Sequence, residues 1–325
     1  YRSIESQMSG RGGYIAYENN RVKAEAIVNS NELTDFENIG GTLKVNLNKK
    51  TFLYTGTALS ENKSSNFSSK LGLLGAGFSL NRRHNFYLQG SLNQITRGET
   101  PAINNEYGWE FNYNSNYKKI SSIVRAKYGS EQYYSPYGGR LELFSIITWQ
   151  KNPTNQFQLY FSENHNNVSR IDIDEYLKLG YLKSREGKLL FRHLVNSDVE
   201  VFAGPVLLNY KSSDIYNFPV DQYFSSLNSK ATLGARIKNS SGTAVLMPSI
   251  EVAWANVTNN PFINTDSLSK NRKSFGYYNL AVTFRSRSFL ILAFFNSGPR
   301  SLYDQVNYLQ NSKQSRKLQF IPTFD

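Results

Sequence analysis

The chain has 325 residues, a net charge of +12 from 37 Lys and Arg against 25 Asp and Glu, 39% hydrophobic residues and no cysteine. The lack of cysteine excludes disulfides, thiol nucleophiles and thiolate metal sites, and no run of about 18 apolar residues is present to form a transmembrane helix. With 22 Tyr and 21 Phe the aromatic share reaches 14%, more than a dry core this poor in aliphatics would hold.

The N-terminus, YRSIESQMSG, carries no apolar signal-peptide core and reads as following a removed leader or as part of a longer chain. From there apolar residues recur at every second position, the period of a half-buried strand. Leu43, Val45 and Leu47 alternate with Lys44 and Asn46; a strand follows over 71–80; then Phe86, Leu88 and Leu92 alternate with Tyr87, Gln89, Ser91 and Asn93. In EYGWEFNYNSNYKK, Tyr107, Trp109, Phe111 and Tyr113 take one side and Glu106, Glu110 and Asn112 the other. Strands are predicted over 119–129 and 139–149, and Phe157, Leu159 and Phe161 mark another. The stretch EYLKLGYLKSREGKLLFRHLVNSDV, 175–199, reads as two short connections in succession, 183–188 and 195–198. Beyond it come strands over 199–211, KATLGARIK (Lys230 to Lys238), 243–255, 274–285, 288–297 and 316–324. The total is about 18 strands, within 16 to 20, most of them near the roughly 9 to 11 residues that cross a bilayer when tilted.

Short polar connections (48–50, 81–84, 115–119, 151–155) alternate with long ones (30–38, 60–70, 96–105, 130–138, 164–174), so short turns gather at one rim and long loops at the other, as in an outer-membrane barrel. A soluble sandwich explains the period of two but not the strand length or the sorted loops. The last segment, KLQFIPTFD, alternates Leu318, Phe320, Pro322 and Phe324 and resembles the C-terminal assembly signal of Gram-negative outer-membrane β-barrel proteins, although Asp325 follows the last aromatic. The resemblance covers essentially the whole chain, and the Asn-, Lys- and Tyr-rich loops are similar in composition to barrels of Bacteroidota.

That resemblance implies an all-β fold in which residues 1–325 form a single closed antiparallel transmembrane β-barrel in the bacterial outer membrane. It implies a pore, or the membrane component of a transport or secretion assembly, with the porin, transporter and secretion-pore subfamilies all open. A loop-closed scaffold barrel that docks partner proteins is the alternative, and an outer-membrane hydrolase a weaker one. The lipid bilayer and lipopolysaccharide are the expected surroundings, with periplasmic or outer-membrane proteins as partners and no cofactor. Aromatics at strand ends, Tyr54, Tyr107, Tyr113, Trp149, Tyr210, Trp254, Tyr278 and Phe284, are expected to form girdles at the two interfaces.

The positive charge concentrates in the short connections, at Lys49, Lys50, Arg82, Arg83, Lys118, Lys119, Lys151, Lys183, Arg185, Lys188, Lys238, Arg285 and Arg287, opposed there only by Glu186. Such a basic rim would lie against anionic lipid phosphates or an acidic periplasmic partner, or serve only as polar turn chemistry. Nucleic acid is not expected, since no compact basic face with interleaved aromatics is needed to account for the charge. Glu110, Arg125, Lys127, Glu142, Lys230, Arg236, Lys238 and Glu251 are expected to line the lumen, either setting ion preference or pairing across strands. His84 lies in a short turn beside Arg82 and Arg83, His165 in a long loop with Ser169 and Asp172 nearby, and His193 on a strand whose spacing brings no serine onto its face, so no enzyme activity is expected. Asp172, Asp174 and Glu175 form the one weak calcium candidate, without the glycine and distal glutamate of an EF-hand; a solvated acidic cluster is the plainer reading.

Overall fold

The computed structural model describes residues 11–31, 36–62, 64, 66–81, 83–96, 104–130, 139–171, 176–212, 224–259, 273–301, 304–305 and 316–324. Seventeen strands run in chain order: β1 (Arg11–Glu18), β2 (Val22–Asn31), β3 (Phe36–Asn46), β4 (Thr51–Asn62), β5 (Phe67–Leu80), β6 (His84–Thr96), β7 (Asn104–Tyr117), β8 (Ile120–Gly129), β9 (Arg140–Gln150), β10 (Asn155–Ile171), β11 (Tyr176–Leu194), β12 (Val199–Ser212), β13 (Phe224–Lys238), β14 (Val245–Asn259), β15 (Lys273–Arg285), β16 (Phe289–Ser297) and β17 (Arg316–Phe324). They belong to one antiparallel sheet in which consecutive strands are neighbours. Two compact units divide it, Tyr1–Phe144 with Asn164–Leu179, and Ser145–Glu163 with Gly180–Asp325. The division passes through β9, β10 and β11.

The period of two decides which side chains share a face. In β13 the even positions from Ser226 to Lys238 form one face, while Leu227, Leu233 and Ile237 are exposed on the other. In β5 the buried positions are Phe67, Ser69, Leu71, Leu73, Gly75 and Gly77, and the alternate face exposes Leu74 and Phe78. Each unit therefore has a polar face, on which small, charged and amide side chains meet, and an apolar face carrying large exposed side chains. Leu74 is 67% exposed, Leu92 69% and Leu318 80%. An apolar surface of this extent does not persist in contact with water.

On the hidden face of the first unit, Tyr54, Ala58, Leu71 and Leu73 cluster, with Ile27 and Phe52 packed against them. In the second unit the corresponding cluster is Phe224, Ala253, Ala255, Val257, Phe275 and Tyr277. One glycine is fixed by close approach: a Cβ on Gly234 would lie 2.4 Å from the ring of Phe202, its register partner on β12. The ring lies across the glycine, an aromatic filling the space that a missing side chain leaves in the sheet.

The structure corrects several sequence expectations. Residues 183–188 are not a turn: they lie inside β11, a continuous strand of 19 residues, so a single connection, 195–198, separates β11 from β12. Likewise β10 runs on to Ile171 through most of the expected loop at 164–174, and the strand ends at Asn31, Phe36, Asn62 and Phe67 replace much of the loops at 30–38 and 60–70. The described strands number 17, inside the expected 16 to 20, but the expected closure is not seen: among the described residues no register joins β1 to β17. Tyr54 and Tyr210 are not girdle residues. Tyr54 is 3% exposed within the first hidden cluster, and Tyr210 faces Ser184 and Ser226, on the polar face of β13.

Candidate functional site: the polar face of the sheet

In the first unit one row of register partners crosses from β2 to β8: Lys23, Lys44, Tyr54, Gly75, Gln89, Glu110 and Lys127. Lys23 Nζ lies 2.7 Å from Glu25 Oε1, and Tyr14 donates to the same carboxylate at 2.9 Å. Thr42 donates to the other oxygen of Glu25 at 3.2 Å. Lys44 sits 4.3 Å over the Phe52 ring, which stacks on Tyr87, and the Tyr87 hydroxyl donates to Gln89. Glu110 accepts from Asn112 at 2.7 Å and pairs with Lys127 at 3.7 Å. Arg125 is the register partner of Asn112, on the same face. Lys23 and Lys127 are thus paired with Glu25 and Glu110 at the short separations that a half-buried polar surface requires, while Lys44 lies over an aromatic ring.

In the second unit the parallel row is Gly204, Thr232, Glu251, Asn279, Asn296 and Lys317. Glu251 Oε1 is shared by Lys230 Nζ at 3.3 Å and Arg300 Nε at 3.6 Å. Nearer the short turns, Arg192 bridges Glu200 at 3.1 Å and Gln158 at 3.4 Å, and Arg236 is the register partner of Glu200. Strand-borne Lys188, Arg192, Lys230 and Arg236 outweigh Glu186, Glu200 and Glu251 on this face, so it leans basic.

Arg300 does not come from a strand. After β16 the chain turns at Gly298, which holds φ +91°, a conformation L side chains rarely adopt, and a Cβ there would stand 2.8 Å from Tyr277 Cβ. Residues 298–301 and 304–305 come back over β13 to β15. Gln305 is fully buried: it accepts from Ser226 Oγ at 2.7 Å and donates to Asn228 Oδ1 at 2.8 Å. Asn228 Oδ1 also accepts from the Tyr277 hydroxyl at 3.3 Å. Arg300 donates to Asn296 at 3.4 Å as well as pairing with Glu251, and Asp304 pairs with Lys317 at 2.9 Å and accepts from Ser301 Oγ at 2.7 Å. Burial works against ionisation of Asp304, but the hydrogen bonds from Lys317 and Ser301 outweigh it and hold the carboxyl below the ordinary range. Three polar residues, Arg300, Asp304 and Gln305, therefore pin this stretch onto the charged face, and the expected lumen residues Lys230 and Glu251 are the ones it touches or adjoins.

Of the other expected lumen residues, Glu142 lies on β9 at the opposite parity to the exposed Ile147 and Trp149, and Lys238 is the last residue of β13. Of the expected basic rim, Lys49 and Lys50 lie between β3 and β4, Arg83 between β5 and β6, Lys118 and Lys119 between β7 and β8, Lys151 between β9 and β10, and Arg287 between β15 and β16. Arg285 closes β15. Lys183, Arg185 and Lys188 do not belong to a rim, since they lie within β11, where Lys183 and Arg185 bind Glu163 of β10 at 3.0 and 2.9 Å. Arg82, Asp172, Asp174 and Glu175 lie outside the described residues. His84 pairs with the Tyr113 hydroxyl at 3.0 Å and His193 with Asn155 at 2.8 Å. Sequence reading missed Arg300, Asp304 and Gln305 altogether, because their partners are set by a fold-back that has no periodic signature.

No family model matches the chain, and no curated protein matches it. Among solved structures it is similar to a bacterial polysaccharide outer membrane secretin, with 8% identity and a TM-score of 0.38 over 93% of this chain and 94% of that one. It is also similar to a loop-deletion mutant of OmpT, an outer membrane protein of Vibrio cholerae, with 9% identity and a TM-score of 0.39 over 87% of this chain and 89% of that one. The third is the outer membrane transporter YddB from Escherichia coli, at 8% identity and a TM-score of 0.42, over 96% of this chain and 60% of that one.

Proposed function

We propose that the chain is a bacterial outer-membrane β-barrel whose polar face lines an aqueous, basic-leaning pore narrowed by the segment 298–305. The observation that carries this reading is the division of one long-stranded sheet into a face of ion pairs and amides and a face of exposed Leu, Phe, Tyr and Trp. Two solvents satisfy the two faces: acyl chains on one side and water on the other. Strand length supports it, since β5, β7 and β12 each hold 14 residues, well beyond the five or six of an ordinary strand.

In hydrocarbon an open sheet edge is untenable, so the reading includes closure of β1 against β17 or through a further strand. With antiparallel neighbours throughout, β1 and β17 run in the same direction, and direct closure would be parallel. The bounds of the strands also place short connections such as 81–83 and 118–119 after odd-numbered strands and longer ones such as 130–139 and 298–315 after even-numbered ones, which the reading assigns to the periplasmic and external rims. Lys49, Lys50, Lys118 and Lys119 would then meet inner-leaflet phosphates. No catalytic step is part of the reading.

A second reading has one observation in its favour. The polar face of β13 to β15 is filled by its own cluster and by Gln305, as expected of a scaffold barrel closed from within. Planar-bilayer recording separates the two. The pore reading expects discrete conductance steps with a reversal potential shifted toward anions in a KCl gradient. Folded protein giving no steps, for both the native chain and Gln305→Ala, would leave only the scaffold.

A further inference from the structure

The short turns that follow β5 and β7 meet at the edge of the apolar face. The Asn116 amide donates to the Arg83 carbonyl at 2.9 Å and ties the two turns together. Register places Phe78, Phe86 and Tyr113 in one row, and Leu80 and His84 in the next row toward the turns. These positions share the parity of the exposed Leu74, Leu88 and Trp109, so they stand on the apolar face. Their rings are continuous: Phe86 lies 4.6 Å from Phe78 and 4.7 Å from Tyr113, and His84 stacks on both Tyr113 and Tyr117. Leu80, Tyr117 and Ile120 remain exposed beside them.

Two cations converge on the last of these rings. Arg83 lies 5.4 Å and Lys118 5.2 Å from the Tyr117 centroid, and both are exposed. Lys118 holds φ +54° in a two-residue turn where asparagine or glycine would be unstrained. A residue kept against the chemistry of its own turn points to a use. Like charges gathered on one ring repel unless an anion joins them, and the chain supplies none nearby. Residues 71–95 and 111–130, which hold both turns and the strand halves next to them, contain no Asp or Glu, and neither does 40–58 around the turn between β3 and β4. Along β5 to β8 the first carboxylate is Glu110, seven residues along β7 from Tyr117 and paired with Lys127 on the polar face. We propose that Arg83 and Lys118, held about Tyr117, bind the phosphodiester of an anionic glycerophospholipid whose acyl chains lie along Leu80, Phe78 and Ile120. With no carboxylate at hand to receive an ammonium, the site favours a headgroup of net negative charge over a zwitterionic one. This rests on the membrane-spanning reading above and on the short connections being periplasmic, which makes the lipid one of the inner leaflet.

The test uses the whole chain in nanodiscs, with retained lipid read by native mass spectrometry. The probes are phosphatidylglycerol, phosphatidylethanolamine with the same acyl chains, and phosphorylated lipid A. The variants are Arg83→Gln, Lys118→Asn and the two combined, each checked for folding by heat-modifiable gel migration. Lys118→Asn removes a charge while suiting the left-handed turn, so its fold should be kept while its lipid is lost. We expect the native chain to retain phosphatidylglycerol several-fold better than phosphatidylethanolamine, each single variant to narrow that preference, and the double variant to lose phosphatidylglycerol by roughly tenfold or more. Equal retention of the two glycerophospholipids by the native chain, or unchanged retention by the double variant, would overturn the site. Lipid A held as tightly as phosphatidylglycerol through the same two cations would overturn its assignment to an inner-leaflet glycerophospholipid. A chain that does not enter the nanodisc at all would overturn the membrane reading and this site together, whereas insertion without a headgroup preference would overturn the site alone.

Discussion

Gln305 concentrates more consequence in one side chain than any charged residue of the polar face. It is fully buried and bonds both Ser226 and Asn228, so Gln305→Ala removes the acceptor of the Ser226 hydroxyl and one of the two donors to Asn228 Oδ1, at a cost of about 1–3 kcal/mol. That energy is local to the fold-back. The expected outcome is a loosened segment 298–305, seen as faster hydrogen exchange there and, in bilayers, a larger single-channel conductance, with the sheet itself unchanged in thermal unfolding. Asp304 adds a pH dependence whose sign follows from its lowered carboxyl. The folded value lies below the unfolded one, so the Lys317 contact stabilises docking above about pH 3.9 and is lost as pH falls through the folded value. Exchange over 298–305 should rise at acid pH in the native chain and lose that dependence in Asp304→Asn.

Single strands test the two-solvent account most simply where neighbours in sequence face opposite media. Leu233 and Thr232 on β13 are such a pair. Leu233→Arg should destabilise the protein in a bilayer by ~2–4 kcal/mol if it lies near midplane, while Thr232→Arg, on the polar face, should cost far less, both read by reversible denaturant unfolding in vesicles. Gly234→Val, whose side chain would enter the Phe202 ring, should cost about 1–3 kcal/mol by overpacking, against a near-neutral Gly72→Ala, where nothing stands within 4 Å of an added Cβ. These alternations were legible in the sequence because a period of two is a local property: KATLGARIK already separates the faces that the registers of β12, β13 and β14 use. What misled was KSREGK. Its charges and glycine carry turn chemistry, yet Lys183 and Arg185 are held extended by Glu163, a partner from β10, and only the tertiary pairing reveals it. The anchors of 298–305 were illegible for the same reason, Ser226 standing 79 residues from Gln305.

At the scale of the whole molecule, the two units share one physical design: hidden clusters and crossing ion pairs on one face, exposed apolar side chains on the other. The basic balance of the chain then divides between connections that would meet phosphate at one interface, strand cations paired across the polar face, and Lys183 and Arg185 paired with Glu163 on the apolar face. On the proposed reading that apolar face is solvated by lipid. The chain contains no cysteine, so each introduced thiol is unique, and spin labels placed one at a time from residue 227 to 237 on β13 can read the solvent of every position in reconstituted vesicles. The account predicts oxygen-rich, water-poor environments at Leu227, Ala231, Leu233 and Ile237, alternating with water-accessible ones at Lys230, Thr232 and Arg236, Asn228 being covered by Gln305. Uniform water accessibility along the strand would contradict it.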